Sequence, residues 1–251
     1  GSSTGAEEPL ELSVTRGVID LEPVTHELTE GGIGVISVNE FSRDVGADVR
    51  ASLEALRKET TGRLNGLVLD LRRNPGGSLD EAVALSDLFL TEGQIVSQRG
   101  RHRRDTVYYD AETSYRGDAA AGIPMIVLID AGSASASEIV AGALQDHRRA
   151  LVLGERSFGK GSVQSLLPLS RSAALKLTTA RYYTPSGRSV QVKPVVVDAR
   201  QLVTSHTADL DVNPAFPAEL QPRDRTRAGA RAQVQKIAAN LDPRLLGDSI
   251  T

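Results

Sequence analysis

Cysteine is absent from the 251 residues, which excludes disulfide bonds, thiol catalysis and cysteine-ligated metal sites while leaving the compartment open. Excess charge is absent too. A formal net charge of −3 supplies no basic field for a phosphate backbone, so no nucleic-acid partner is expected. No run is long and apolar enough to cross a bilayer as a helix. The four histidines, His26, His102, His147 and His206, show no zinc-binding spacing and no evident carboxylate partner. No metal, no other cofactor and no Ser–His–Asp triad is therefore expected. Internal repeats and low-complexity stretches are missing. The opening Gly1-Ser2-Ser3-Thr4-Gly5 lacks Met and reads as a tag scar.

What is present is enough for a sizeable core: 40% of the residues are hydrophobic, in a length that suits one large domain or two small ones. Apolar runs at 33–38, 67–72, 124–129 and 150–154 read as buried strands. Between them, Val45, Val49, Leu53 and Leu56 recur at helical spacing, which predicts an amphipathic helix over about 43–60 with Ser42 as its N-cap. Ser78 and Glu81 form a capping-box pattern ahead of a second helix, and a third is expected over about 135–147. Strands alternating with helices imply an α/β core with parallel strands. Shorter strands are expected at 11–16, 95–98 and 106–109, with the basic stretch Arg99 to Arg104 as a solvated loop. Residues 175–183 and 188–192 flank Pro185-Ser186-Gly187 and read as a hairpin. In the tail, Ala230, Val234, Ile237 and Leu241 share one face of a helix expected over 227–241, a candidate homo-oligomer contact.

Two turns carry candidate chemistry. Gly132-Ser133-Ala134-Ser135-Ala136-Ser137-Glu138-Ile139 follows a buried strand and opens a helix, where the helix N–H groups favour developing negative charge. Ser135 is the candidate nucleophile, although Ser133 and Ser137 stand beside it and Ser135 with Glu138 also fits a capping box. Lys160, between Gly159 and Gly161, is the candidate general base. A lysine removes a serine proton only when its amine is neutral, and burial disfavours the ammonium form. Ser135 and Lys160 thus read as halves of a Ser–Lys dyad. If 160–167 is extended, Gln164 shares a face with Lys160 and is a candidate partner for its amine. The Gly76 and Gly77 N–H groups, together with that of Ala136, are candidate donors to an oxyanion. Asp146, on the third turn of the same helix, reads as structural. Gly154 and Gly159-Lys160 nominally fit a phosphate-binding loop, but Gly161 stands where Ser or Thr is needed to bind magnesium, which argues against a nucleotidase.

Taken in order, Asp70-Leu71-Arg72-Arg73-Asn74-Pro75-Gly76-Gly77, the Gly132–Ile139 turn, Phe158-Gly159-Lys160-Gly161-Ser162-Val163-Gln164 and Leu175–Arg188 resemble the carboxyl-terminal processing, or tail-specific, proteases from about Gly32 to Gln191. The resemblance implies that Ser135 is the nucleophile, Lys160 the base and Gln164 the supporting amide. It implies oxyanion donors from the Pro75-Gly76-Gly77 turn and Ala136, and a core related to the crotonase and Clp protease architecture. It also implies unstructured protein or peptide C termini as substrate, no metal or nucleotide, and a location outside the cytoplasm or in a lumen. The expected organisation is 1–10 as tag or disordered residues, 11–31 as a remnant following a PDZ position with a cap strand, 32–200 as the protease core and 201–251 as a C-terminal cap and helical segment. The family usually carries a PDZ domain ahead of the core, and too few residues precede it here to form one. Two other readings are a peptide-binding core with impaired turnover and a small-molecule acyl hydrolase on the same fold.

Overall fold

Strands covered on both faces read as unbroken apolar runs, and such runs form the centre of this molecule. The computed structural model describes residues 22–112, 117–170 and 173–191. In chain order its elements are β1 (Val24–Leu28), β2 (Ile33–Val38), α1 (Val45–Glu59), β3 (Gly66–Asp70), α2 (Leu79–Asp87), β4 (Gln94–Arg99), a 3-10 turn at Arg103–Asp105, β5 (Thr106–Asp110), β6 (Met125–Ile129), α3 (Ala136–Asp146), β7 (Leu151–Gly154), β8 (Ser162–Pro168) and β9 (Ala174–Tyr183). The expected strand at 11–16, the tail helix at 227–241 and the segments 1–10 and 201–251 lie outside the described residues.

The elements make two sheets. The first has the order β1-β2-β3-β6-β7, with β2, β3, β6 and β7 parallel and β1 antiparallel at one edge. The second, β5-β4-β9-β8, is antiparallel throughout. The fold is thus mixed α/β, with helices packed against the parallel sheet. Helix α1 buries Val45, Val49, Leu53 and Leu56, the stripe its spacing predicts.

The capping of the first two helices differs from expectation. Asp44, not Ser42, is the N-cap of α1, and its side chain makes no cap bond. The carboxylate of Glu81 substitutes for it, accepting the N–H groups of Asp44 (3.0 Å) and Gly46 (3.2 Å). A carboxylate is favoured at a helix N-terminus by the peptide dipoles. The Ser78–Glu81 box is accordingly half-formed: Ser78 Oγ accepts Glu81 N–H at 3.4 Å, while the Glu81 side chain serves the neighbouring helix.

The expected hairpin around Pro185-Ser186-Gly187 is also corrected. The ladder partners of β9 are β8, in register from Ser162↔Arg181 to Pro168↔Ala174, and β4 on its other edge. Among the described residues, which end at 191, the stretch after β9 makes only an isolated bridge, Tyr183↔Ser189. Asp146 pins that turn, accepting Ser186 N–H at 3.0 Å and pairing with Arg188 at 3.3 Å.

Candidate active site

β3, β6 and β7 are parallel neighbours, so their carboxyl ends open on one edge of the sheet, the place where parallel α/β folds gather functional loops. β3 runs into Arg72–Gly77, β6 into Asp130–Ser135 and β7 into Glu155–Lys160. Cross-links join the three. Asp130 Oδ1 accepts Arg73 N–H at 2.8 Å, Ala134 N–H donates to Asn74 O at 3.0 Å, and Phe158 N–H donates to Ser133 O at 2.9 Å.

The geometry separates the three serines that the sequence leaves together. Ser133 is fully buried and donates to Leu71 O at 2.8 Å, and Ser137 is fully buried and donates to Asn74 O at 3.0 Å. Ser135 alone is half-exposed. It precedes α3 with φ 55° and ψ −111°. Such a conformation costs a non-glycine residue about 1–3 kcal/mol and collects at functional sites. A serine on a sharp strand-to-helix turn is the device by which hydrolases lift a nucleophile clear of a sheet. Ala136 follows at the first helical position, where a backbone N–H has no intrahelical acceptor.

The Pro75-Gly76-Gly77 turn lies directly over that serine. Gly76 has φ +99°, and a Cβ placed on it would meet Ser135 Cβ and Ala134 O at 2.7 Å and Ala136 N at 2.9 Å. Only glycine permits this approach. Gly76 differs from expectation as a donor, however: its N–H is already engaged by Asn74 Oδ1 at 2.8 Å. Among the described residues no hydrogen bond engages Gly77 N–H. Asn74, fully buried, anchors the turn, since its Nδ2 also donates to Val38 O at 2.8 Å.

Lys160 sits on the third loop with its side chain exposed, not buried as the dyad argument anticipates, and it is not hydrogen-bonded to Ser135. Its backbone is nonetheless held to the serine turn. Glu138 Oε2 accepts both Ser135 N–H (2.9 Å) and Lys160 N–H (2.8 Å). Two donors on one oxygen at these lengths place the two amide nitrogens within roughly 6 Å of each other. Gln164 is exposed on β8, beyond a bulge between Val163 and Gln164 that breaks the simple alternation linking it to Lys160. The loop carrying Lys160 leads into a strand rather than a helix, so it lacks the helix N-terminus that a phosphate-binding loop requires. His147 bonds Gln94 O at 2.7 Å and His26 bonds Ser52 Oγ at 3.2 Å, and neither is bonded to Ser135.

Asn74 and Glu138 are the residues that sequence reasoning leaves in lesser roles, one as part of a turn and one as a capping partner. The available signal for Glu138 was a carboxylate inside a small and apolar run, Ala134 to Leu144, since acids are almost never fully buried unless paired.

Comparison with known proteins gives a consistent picture. Residues 32–200 match Peptidase family S41, and residues 185–251 match a ddrB-like ParB superfamily domain. The chain is 50% identical over 188 residues to a carboxy-terminal-processing protease of Bartonella bacilliformis, covering 74% of this chain and 42% of the relative. It is 37% identical over 200 residues to a carboxyl-terminal-processing protease of Synechocystis sp., covering 78% of this chain and 45% of the relative. Among solved structures, a photosystem II D1 C-terminal processing protease superposes with a TM-score of 0.62 at 31% identity, covering 75% of this chain and 51% of that one. The chain spans less than half the length of the two curated relatives.

Proposed function

The chain belongs to peptidase family S41, and from that premise we propose that it is a serine endopeptidase that cuts proteins near their C termini with a Ser135–Lys160 dyad. The observation that carries this reading is the meeting of three strand-end loops: a strained, half-exposed serine, a glycine turn pressed onto it, and a lysine loop fastened to the serine's own amide by one carboxylate. Ser135 Oγ attacks the scissile carbonyl carbon while the neutral Lys160 amine takes the hydroxyl proton. The oxyanion that forms is met by Ala136 N–H, with Gly77 N–H as the second donor, and the N-terminus of α3 adds its field. As the C–N bond breaks, the lysine ammonium returns the proton to the leaving amine. Water, deprotonated by Lys160, then attacks the acyl carbon; the C–O bond to Ser135 breaks, the lysine ammonium returns the proton to Ser135 Oγ, and the acyl group leaves as a carboxylic acid. Gln164 is proposed to accept a hydrogen bond from the lysine amine once that amine turns inward.

The exposed Lys160 side chain is compatible with this sequence because its backbone already stands beside the serine. Rotation about its four-carbon stem carries the amine inward, and the arriving substrate removes water from around it. Hydrogen bonds at catalytic sites commonly tighten only when substrate is bound. The proposed substrates are unstructured protein tails, and the proposed location is outside the cytoplasm or in a lumen. Among the described residues no helix is long and apolar enough to cross a membrane. Ser135→Ala and Lys160→Ala are each expected to lower the rate of cleavage of an unfolded protein with an apolar C terminus by at least about 10³-fold. Gel-based cleavage assays check this, and near-full activity in either variant rejects the dyad.

A further inference from the structure

Glu138 does more than cap a helix. It is wholly buried on the first turn of α3. Its Oε2 accepts the Ser135 and Lys160 amides, and its Oε1 accepts Gly159 N–H at 2.7 Å and the Ser157 hydroxyl at 2.6 Å. All four donors are neutral, and among the described residues Glu138 forms no ion pair. A buried carboxylate is costly unless hydrogen bonds replace its water. A capping box uses only the bond to the N-cap amide. The other three go to residues 157–160, the segment that bears the lysine.

We infer that Glu138 is a positioning residue, a buried anionic clasp that fixes the backbone of Lys160 against the Ser135 turn so that side-chain rotation alone brings amine to hydroxyl. The inference rests on the Ser135–Lys160 reading of the site. Its chemical logic lies in the acceptor count. A carboxylate offers two acceptor oxygens, each facing two donors here. A glutamine of the same shape offers one oxygen and one NH2 group. Turned toward Ser135 and Lys160, the NH2 faces two N–H donors; turned the other way, the Ser157 hydroxyl can rotate to accept from it, but Gly159 N–H is left facing a donor, so either way the clasp loses at least one bond.

The test is steady-state cleavage of an unfolded protein by Glu138→Gln, with rates normalised to the folded fraction from thermal unfolding. The expected result is a fall in kcat of about 30-fold or more with KM within about twofold, because the clasp holds the reacting groups and does not bind substrate. Ser157→Ala removes one donor and leaves the carboxylate in place, so it serves should Glu138→Gln not fold. Its kcat is expected to fall about three- to tenfold at unchanged KM. A folded Glu138→Gln with kcat within twofold of the parent overturns the inference, as does a loss that appears only in KM or only in the folded fraction. For Ser157→Ala, an unchanged kcat does the same. Lys160→Ala separates the two levels. If that variant stays active, the dyad itself is wrong. If it is dead while Glu138→Gln is fully active, only the clasp is wrong.

Discussion

The carboxyl edge of the parallel sheet and the far end of the β8–β9 ribbon are built on opposite terms. At the sheet edge polar groups are buried and answered: Asn74 and Glu138 are both fully buried, and each holds two chain segments together. On the ribbon, apolar groups are exposed. Leu166 is 70% and Leu169 67% accessible, and Leu167, Leu175 and Leu177 are open as well. One region draws its definition from hydrogen bonds that leave each loop few alternatives. The other is defined mainly by its backbone ladder, with a side-chain bond between the Ser165 and Thr179 hydroxyls at 2.8 Å across it. Fixed geometry is therefore concentrated where the members of the proposed dyad must meet, and it falls away within a few residues of Lys160.

Substitutions can break that contrast. The largest effect is expected from Asn74→Ala, which leaves the Gly76 amide and the Val38 carbonyl without their partner. Each orphaned buried group costs about 1–3 kcal/mol, and loosening the turn over Ser135 is expected to lower kcat about 100-fold. Thermal unfolding and cleavage rates measure the two consequences separately. Next come paired leucine truncations. Leu71→Ala, in the core at the end of β3, is expected to cost about 2–5 kcal/mol. Leu177→Ala, on the ribbon, is expected to stay within about 0.5 kcal/mol. Denaturant titration of both variants tests whether the two regions differ as described, and equal losses would erase the comparison.

The smallest effect concerns Asp87, at the end of α2. Burial, and after it the nearby charge of Glu112, pushes its carboxyl above the usual range, against a hydrogen bond from Glu112 N–H. A carboxyl with a raised folded-state pKa favours the folded protein least once it is ionised. Stability contributed through this group therefore falls as pH rises through the raised value. Asp87→Asn is expected to raise stability at pH 7 by no more than about 0.5 kcal/mol, since the group is only partly shielded from water, and to bring nothing at pH 3. Melting curves at the two pH values check the sign.

The parallel sheet was legible in the sequence because its strands are buried on both faces, so each of the runs at 33–38, 67–72, 124–129 and 150–154 announces itself without help from its neighbours. Helix α1 was legible for the same kind of reason, a stripe of Val45, Val49, Leu53 and Leu56. The pairing of β9 with β8 was not. Pro185-Ser186-Gly187 is a strong local turn signal, whereas the chain between β8 and β9 has no glycine or proline after Pro168 to mark it. The strand β1 fell inside the 11–31 stretch expected to hold a cap strand, yet it belongs to the main sheet. At the site, residue types pointed to three loops that the structure brings together at one sheet edge, but which amide is free is a three-dimensional matter. Gly76 N–H was available on paper and is taken by Asn74. Lys160 was expected inside and lies outside, because exposure of a side chain depends on segments distant in sequence. Glu138 looked like a local cap for the same reason, since three of its four donors lie about twenty residues further on.

The packing at Gly76 has a practical corollary. Its missing side chain is the room into which the serine turn fits, and a single methyl there would collide with backbone on one side and with Ser135 on the other. Gly76→Ala would thus leave every atom of the proposed dyad chemically intact and displace the Ser135 hydroxyl. If the proposed dyad holds, that makes it a steric silencer, suited to capturing an uncut polypeptide on a protein whose alcohol and amine are both still there.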